Sequence, residues 1–272
     1  EIFGFLGPNG AGKTTTVECL QALRTPDSGE IRICGLDPAH EAQACRQITG
    51  SQLQESALPD RIKVWEALDL FASVSPNAAD WRVLLSQWGL AEKKKSGFHS
   101  LSGGQRQRLF IALALVNNPK VVFLDEMTTG LDPAARRVAW ELIKQIRAKG
   151  TTVVLVTHFM DEAEHLCDRL AIVDRGKIIA MDSPPGLISR YAAEVKVIFS
   201  TKENVLPWLK EVQGVSDVSV TGQRVEVSGT GPVLALTAVA LHRHGIIPTD
   251  LRIEQPTLED VFLKLTGQSA GE

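Results

Sequence analysis

The sequence lacks what a disulfide scaffold, a zinc module or a membrane span would need. Its four cysteines, Cys19, Cys34, Cys45 and Cys167, are scattered, with no C-x-x-C pair and no Cys/His cluster at zinc spacing. They read as reduced thiols of a cytosolic protein. No apolar run is long enough to span a bilayer. The longest, Leu109 to Val116, covers about two helical turns. Any membrane role is therefore expected to act through a partner. The net charge of −3 provides no overall positive field to attract nucleic acid. The run Lys93-Lys94-Lys95 reads as a solvated helix end or loop. What is present is an ordinary globular composition, 44% hydrophobic and 22% charged over 272 residues, enough for one large domain or for a domain with a smaller second one.

From residue 1 to about 190, apolar strand-like runs alternate with helical patterns. The expected strands are Ile2–Leu6, Ile31–Cys34, Val121–Leu124, Thr152–Val156, Leu170–Val173 and Lys177–Ala180. Between them lie amphipathic stretches such as Pro133–Ala148. This alternation predicts an α/β domain with a largely parallel sheet covered on both faces. Residues from about 62 to 117 break the rhythm and read as a helical insertion, with Trp65, Leu68, Phe71, Trp81, Leu84, Leu85 and Trp88 as core positions. Ser183-Pro184-Pro185-Gly186 marks a boundary. Residues 191–272 then follow a βαββαβ order that matches a small α+β ferredoxin-like domain, closed by a helix over Thr257–Leu265 with Thr257 as its N-cap. The chain enters its first core strand immediately after Glu1, so residue 1 is not expected to be the natural start.

Three elements carry chemistry. Gly7-Pro8-Asn9-Gly10-Ala11-Gly12-Lys13-Thr14-Thr15 fits G-x-x-x-x-G-K-[ST] between a strand and a helical run, the context that a phosphate loop requires. Its glycines let backbone N–H groups converge on an anion at the positive end of a helix. Lys13 sets a cation against the β- and γ-phosphates of a nucleotide, and the Thr14 hydroxyl reaches Mg²⁺. Val121-Val122-Phe123-Leu124-Asp125-Glu126 reads as a buried strand with carboxylates at its tip. Asp125 suits Mg²⁺, and Glu126 suits a general base aimed at water. Leu101-Ser102-Gly103-Gly104-Gln105 opens an apolar-periodic helix, with Ser102 as N-cap and bare glycine backbone at the positive helix end.

These elements, in this order and spacing, resemble the nucleotide-binding subunit of an ABC (ATP-binding cassette) transporter, with Leu101–Gln105 as the family's signature. The resemblance covers residues 1 to about 190 and implies a P-loop NTPase cassette that hydrolyses ATP with Mg²⁺. It implies that Gln54, with Gln52 as a rival two residues away, is the glutamine that senses the metal and the attacking water. It also implies that Asp132 belongs to a loop crossing a dimer interface, and that His158 contacts the γ-phosphate. Lys13, Glu126 and His158 are then the expected catalytic residues, and Thr14, Gln54 and Asp125 the expected metal set. The implied partners are a second copy of the chain or a paralogous cassette, together with an integral-membrane permease. No nucleic acid is implied. The implied location is the cytoplasmic face of a bacterial or archaeal membrane.

Two departures stand out. Met127 occupies a position where the family usually has proline, with little effect expected. The family's segment before residue 1, with an aromatic residue that stacks on adenine, is not in the sequence, and ATP affinity is expected to be correspondingly weak. The segment Gln255–Gly267 resembles the end of bacterial drug- and antibiotic-exporter ATPases, which favours export. No long coiled-coil insertion of a DNA-repair ATPase is present, and no second cassette of a translation factor. The alternative reading is a non-transport or catalytically impaired ABC-type regulatory subunit; the presence of Lys13, Asp125, Glu126 and His158 argues against it.

Overall fold

The computed structural model describes residues 1–52 and 57–267, which form two compact units divided between residues 184 and 185. In the first unit the elements run β1 (Ile2–Leu6), α1 (Lys13–Leu20), α2 (Ala42–Ile48), β2 (Thr49–Gln52), α3 (Val64–Ser73), α4 (Trp81–Gln87), α5 (Gly103–Ala114), β3 (Val121–Asp125), α6 (Pro133–Ala148), β4 (Thr152–Thr157), α7 (Met160–Leu166), β5 (Arg169–Asp174) and β6 (Lys177–Asp182). Six strands form one sheet in the order β2-β3-β4-β1-β5-β6. The first five run parallel, and β6 pairs antiparallel with β5.

Strand β1 sits mid-sheet between β4 and β5, with Ile2, Gly4 and Leu6 on its fully buried face and half-buried Phe3 and Phe5 on the other. Ile2 and Leu6 are buried, and at Gly4 a side chain would fall 2.6 Å from Cys167 Sγ. The start of β1 is pinned by Asp168, which accepts the Ile2 N–H at 2.8 Å and pairs with Arg147. Since β1 lies beside β4 and β4 beside β3, the carboxyl ends of these three strands are neighbours. Ligand sites of open α/β sheets form at such ends.

One expected strand is corrected here, and one that the sequence did not suggest is added. Ile31–Cys34 is not a strand of the sheet. Ile33 and Leu36 exchange backbone hydrogen bonds at 2.9 and 3.0 Å, and between them Cys34 and Gly35 both have positive φ, 51° and 89°. This is the backbone of a tight primed turn. Conversely β2, Thr49-Gly50-Ser51-Gln52, has no apolar run to reveal it, yet it pairs with β3 along its length. At Gly50 the strand touches the end of α5: an added Cβ would lie 1.8 Å from the Ala114 carbonyl oxygen, so only glycine fits.

The division falls at the first residue of α8 (Pro184–Tyr191), and the second unit continues through β7 (Val195–Ser200), α9 (Leu206–Leu209), β8 (Val215–Thr221), β9 (Arg224–Gly229), α10 (Val233–Arg243), β10 (Arg252–Glu254) and α11 (Leu258–Thr266). Its four strands are antiparallel in the order β10-β7-β9-β8. Val197, Phe199, Val218, Val225, Val227 and Leu241 share one core. No helix among the described residues is long and apolar enough to cross a membrane.

Helix α11 starts at a capping box. The Asp260 carboxylate accepts the Thr257 N–H at 2.9 Å and the Thr257 hydroxyl at 3.0 Å. Burial pushes this carboxyl up, but the Thr257 bonds and the Lys196 ammonium outweigh it and hold it below its ordinary value of 3.8. Its contribution to stability is thus complete above that value and is lost as pH falls through the lower folded value. Asp260→Ala is expected to cost about 0.5–2 kcal/mol at neutral pH. In denaturant titrations the gap to the parent should close only well below pH 4; a gap independent of pH would exclude the carboxylate as its source.

Candidate functional site

The loop Gly7–Thr15 leaves the carboxyl end of β1 and turns into α1. At Gly7 a Cβ would sit 2.3 Å from the Val173 carbonyl oxygen of β5. Gly10 and Gly12 have φ of 77° and 98°, a region that glycine enters without penalty. Ala11 is buried, and its carbonyl accepts the Gly176 N–H at 2.9 Å, tying the loop to the β5–β6 turn. Pro8 is half-buried, and Asn9, Thr14 and Thr15 are exposed. No side chain caps α1 at Gly12, so its first N–H groups remain available to an anion. Lys13 folds back over the loop, and its ammonium donates to the carbonyls of Gly7 at 2.7 Å and Pro8 at 3.0 Å. Burial lowers its pKa, opposed by Glu126 and Asp125.

Asp125 ends β3 with 5% of its surface exposed. Burial, then the adjacent Glu126, pushes its carboxyl up to about 6, with Lys13 opposing. Glu126 follows with a backbone φ of 47°, unusual for a long side chain, and its N–H bonds the Val156 carbonyl of β4 at 2.9 Å. His158 follows β4, and its Nδ1 lies 3.0 Å from Glu126 Oε1. The Phe159 ring packs against the imidazole at 4.1 Å between centroids. Four predicted residues, Lys13, Asp125, Glu126 and His158, are thus brought together by three neighbouring strand ends.

The signature forms a separate group. Ser102 Oγ accepts the Gln105 N–H at 3.3 Å, and Gln105 Oε1 accepts the Ser102 N–H at 3.0 Å, a reciprocal capping box at the start of α5. Leu101 is buried, and its carbonyl accepts from Arg106. Ser102, Gly103, Gly104, Leu131 and Asp132 line one pocket of about 350 Å³, which includes no residue of the Gly7–Thr15 loop. Asp132 caps α6, with Oδ1 accepting the N–H groups of Ala134 and Ala135 at 2.9 Å. Gln54 lies outside the described residues, and its rival Gln52 is buried at the end of β2.

The metal question can be put to these residues. Among the described residues no group of three or more His, Cys, Asp or Glu side chains could hold a metal ion by itself. Asp125 at the tip of β3 and the exposed Thr14 hydroxyl at the start of α1 are oxygen donors of the kind that Mg²⁺ takes. A site with so few protein ligands fits Mg²⁺ that is held jointly with the phosphates of a bound nucleotide.

One buried acid that follows His158 in the chain was not read from the sequence. Glu162 is fully buried on α7, and its Oε1 accepts the Trp140 Nε1–H at 3.1 Å. Its only signal in the sequence is an acid four residues after His158.

A family profile described as ABC transporter matches residues 1–129. The chain is 36% identical over 278 residues to the daunorubicin resistance ATP-binding protein DrrA2 of Streptomyces coeruleorubidus, across 98% of this chain and 86% of that protein. It is 39% identical over 277 residues to the Nod factor export ATP-binding protein I of Paraburkholderia xenovorans, across 98% and 88%. Among solved structures, cbiO1 of Clostridium perfringens, part of the ABC transporter complex cbiONQ, superposes with a TM-score of 0.62 at 27% identity, over 70% of this chain and 79% of that one. The bacterial ABC transporter cassette MJ0796, solved as a dimer, gives 0.60 at 26% identity over 67% and 85%. With relatives this similar over nearly its whole length, the chain belongs to the family of ABC transporter ATP-binding subunits, which are ATPases.

Proposed function

We propose that this chain powers an exporter, by hydrolysing ATP in a head-to-tail dimer attached to a separate membrane permease. The observation that carries the proposal is the convergence of Lys13, Asp125, Glu126 and His158 on three adjacent strand ends. The loop Gly7–Thr15 binds the phosphates of ATP through its backbone N–H groups, and the Lys13 ammonium moves from its carbonyl partners to the β- and γ-phosphates. Glu126 orients the attacking water and takes its proton. His158, buttressed by Phe159 and by Glu126, steadies the γ-phosphate. Asp125 and the Thr14 hydroxyl would hold Mg²⁺, which when bound neutralises charge developing on the phosphates; the family's reading adds Gln54 to that set. Ser102–Gln105 and Asp132 serve the other copy, covering the ATP held by its loop.

Support for export comes from the names of the relatives, a daunorubicin resistance protein and a Nod factor export protein. Support for pairing comes from the dimeric cassette, and for a multi-protein complex from cbiO1. A second copy or a paralogous cassette and an integral-membrane permease are the proposed partners, at the cytoplasmic face of a bacterial or archaeal membrane. The cassette is assigned to residues 1–190 and an accessory domain to residues 191–272. The strand order β10-β7-β9-β8 with helices α9 and α10 between strands supports a ferredoxin-like reading of that domain.

The test is co-purification from the native host in mild detergent, with ATPase activity followed through each step. The expected result is recovery of ATPase together with a polytopic membrane protein. An active chain recovered repeatedly without one would overturn the transport assignment while leaving the ATPase intact.

A further inference from the structure

Helix α6 grips α7 through one polar stripe. Arg136, Trp140 and Lys144 recur every four residues and so share a helix face. The Arg136 guanidinium lies 4.3 Å from the Phe159 ring centroid, and its Nη1 pairs with Asp161 at 3.4 Å. The Trp140 Nε1–H donates to Glu162 Oε1, and Lys144 Nζ meets His165 Nε2 at 2.9 Å. Helix α6 begins directly after Asp132, and α7 directly after His158 and Phe159.

Within this stripe Glu162 is shut from solvent completely, at 0% exposure. Burial raises its pKa; the Thr157 and Thr128 hydroxyls, the Trp140 N–H and the Arg136 charge oppose that rise. These groups come from segments that matter to the site. Thr157 directly precedes His158, Thr128 stands two residues after Glu126, and Arg136 and Trp140 belong to the helix that Asp132 caps. Neither Glu162 Oε2 nor the Thr128 hydroxyl, both buried, has a partner at ordinary hydrogen-bond length, so Thr128 acts on this carboxyl only through a longer contact. An open buried acceptor costs stability, and an apolar side chain of similar volume would serve a purely structural position as well or better. A fully buried acid bonded to Trp140 and set among residues of these loops, where packing alone would favour an apolar side chain, therefore points to a role in the reaction.

We propose that Glu162 is a positioning residue for hydrolysis: it fixes the loop after β4, and with it His158, against the loop that carries Glu126. The proposal rests on the roles given above to Glu126 and His158. Glu162 touches neither ATP nor the reacting atoms, so its removal should affect kcat rather than KM.

The experiment compares Glu162→Leu, Glu162→Gln and Trp140→Phe with the parent and with His158→Ala. Steady-state ATPase is measured at a temperature where circular dichroism shows each protein folded. Glu162→Leu should lower kcat about 10- to 100-fold, the scale of a small misplacement of reacting groups, with KM for ATP changed less than about twofold. Glu162→Gln should restore most of kcat, because its amide oxygen still accepts from Trp140. Trp140→Phe, which removes only the donor, should lower kcat severalfold, and it carries the test should the leucine variant not fold. Parent-like kcat in Glu162→Leu or, failing that variant, in Trp140→Phe overturns the proposal. So does a glutamine variant as slow as the leucine one. If His158→Ala turns over like the parent, the reading of the site fails and the proposal with it; if it is inactive while Glu162→Leu is not, the proposal alone fails.

Discussion

Glu126→Gln is expected to stop turnover while leaving ATP bound. Glutamine matches glutamate in shape, so the backbone at φ 47° and the contact to His158 Nδ1 at 3.0 Å have no steric reason to change. What disappears is the capacity to accept a proton from water. General-base catalysis contributes typically 10²–10⁴-fold, so phosphate release should fall by at least about 100-fold. The Lys13 ammonium and the loop Gly7–Thr15 are untouched, and nucleotide affinity should stay within a few-fold of the parent. A protein that binds ATP and cannot discharge it should accumulate in the paired form. Size-exclusion chromatography with ATP and Mg²⁺ would show this as a doubling of apparent mass, absent with ADP. Turnover close to the parent's would remove Glu126 from its assigned role.

Lys13→Met should instead act at the binding step. The ammonium is held by the Gly7 and Pro8 carbonyls and is within electrostatic reach of Asp125 and Glu126. Its charge-assisted bonds to phosphate are worth about 1.5–3 kcal/mol, so ATP affinity should fall about 10- to 100-fold and hydrolysis with it. A second effect follows from Asp125, whose carboxyl already stands at about 6 because of burial and Glu126, with Lys13 opposing the rise. Without the ammonium it climbs further, and less of it is ionised near neutrality. Residual Mg²⁺-dependent binding by Lys13→Met should therefore strengthen between pH 6 and 8 more steeply than that of the parent. Equilibrium titration with a fluorescent ATP analogue reads both effects; undiminished affinity would contradict the role given to Lys13.

Much of the fold was legible because its central strands are short apolar runs that end at chemically distinctive residues. Ile2–Leu6 ends at a glycine-rich loop, Val121–Leu124 at two acids and Thr152–Val156 close to a histidine, and the sheet sets these ends side by side. Strand β2 was hidden because Thr49-Gly50-Ser51-Gln52 is recruited by tertiary pairing with β3 and by the approach of α5 over Gly50, neither of which leaves a periodic pattern. Ile31–Cys34 misled because its apolar residues outweighed Cys34-Gly35, the pair that turns the chain back. Within the site, motif residues could be read directly. Glu162 could not, since a buried acid on a helix looks like a solvated one until its neighbours Trp140 and Thr157 are known.

The left-handed backbone at Glu126 has an evolutionary consequence. A side chain with a Cβ adopts that conformation at a cost of about 1–2 kcal/mol, and glycine would relieve it at once. Position 126 thus sets folding against activity: the residue that best suits the chain is one that cannot accept a proton. Selection for heat resistance alone would drift toward glycine or asparagine there, and the glutamate persists only where turnover is also under selection.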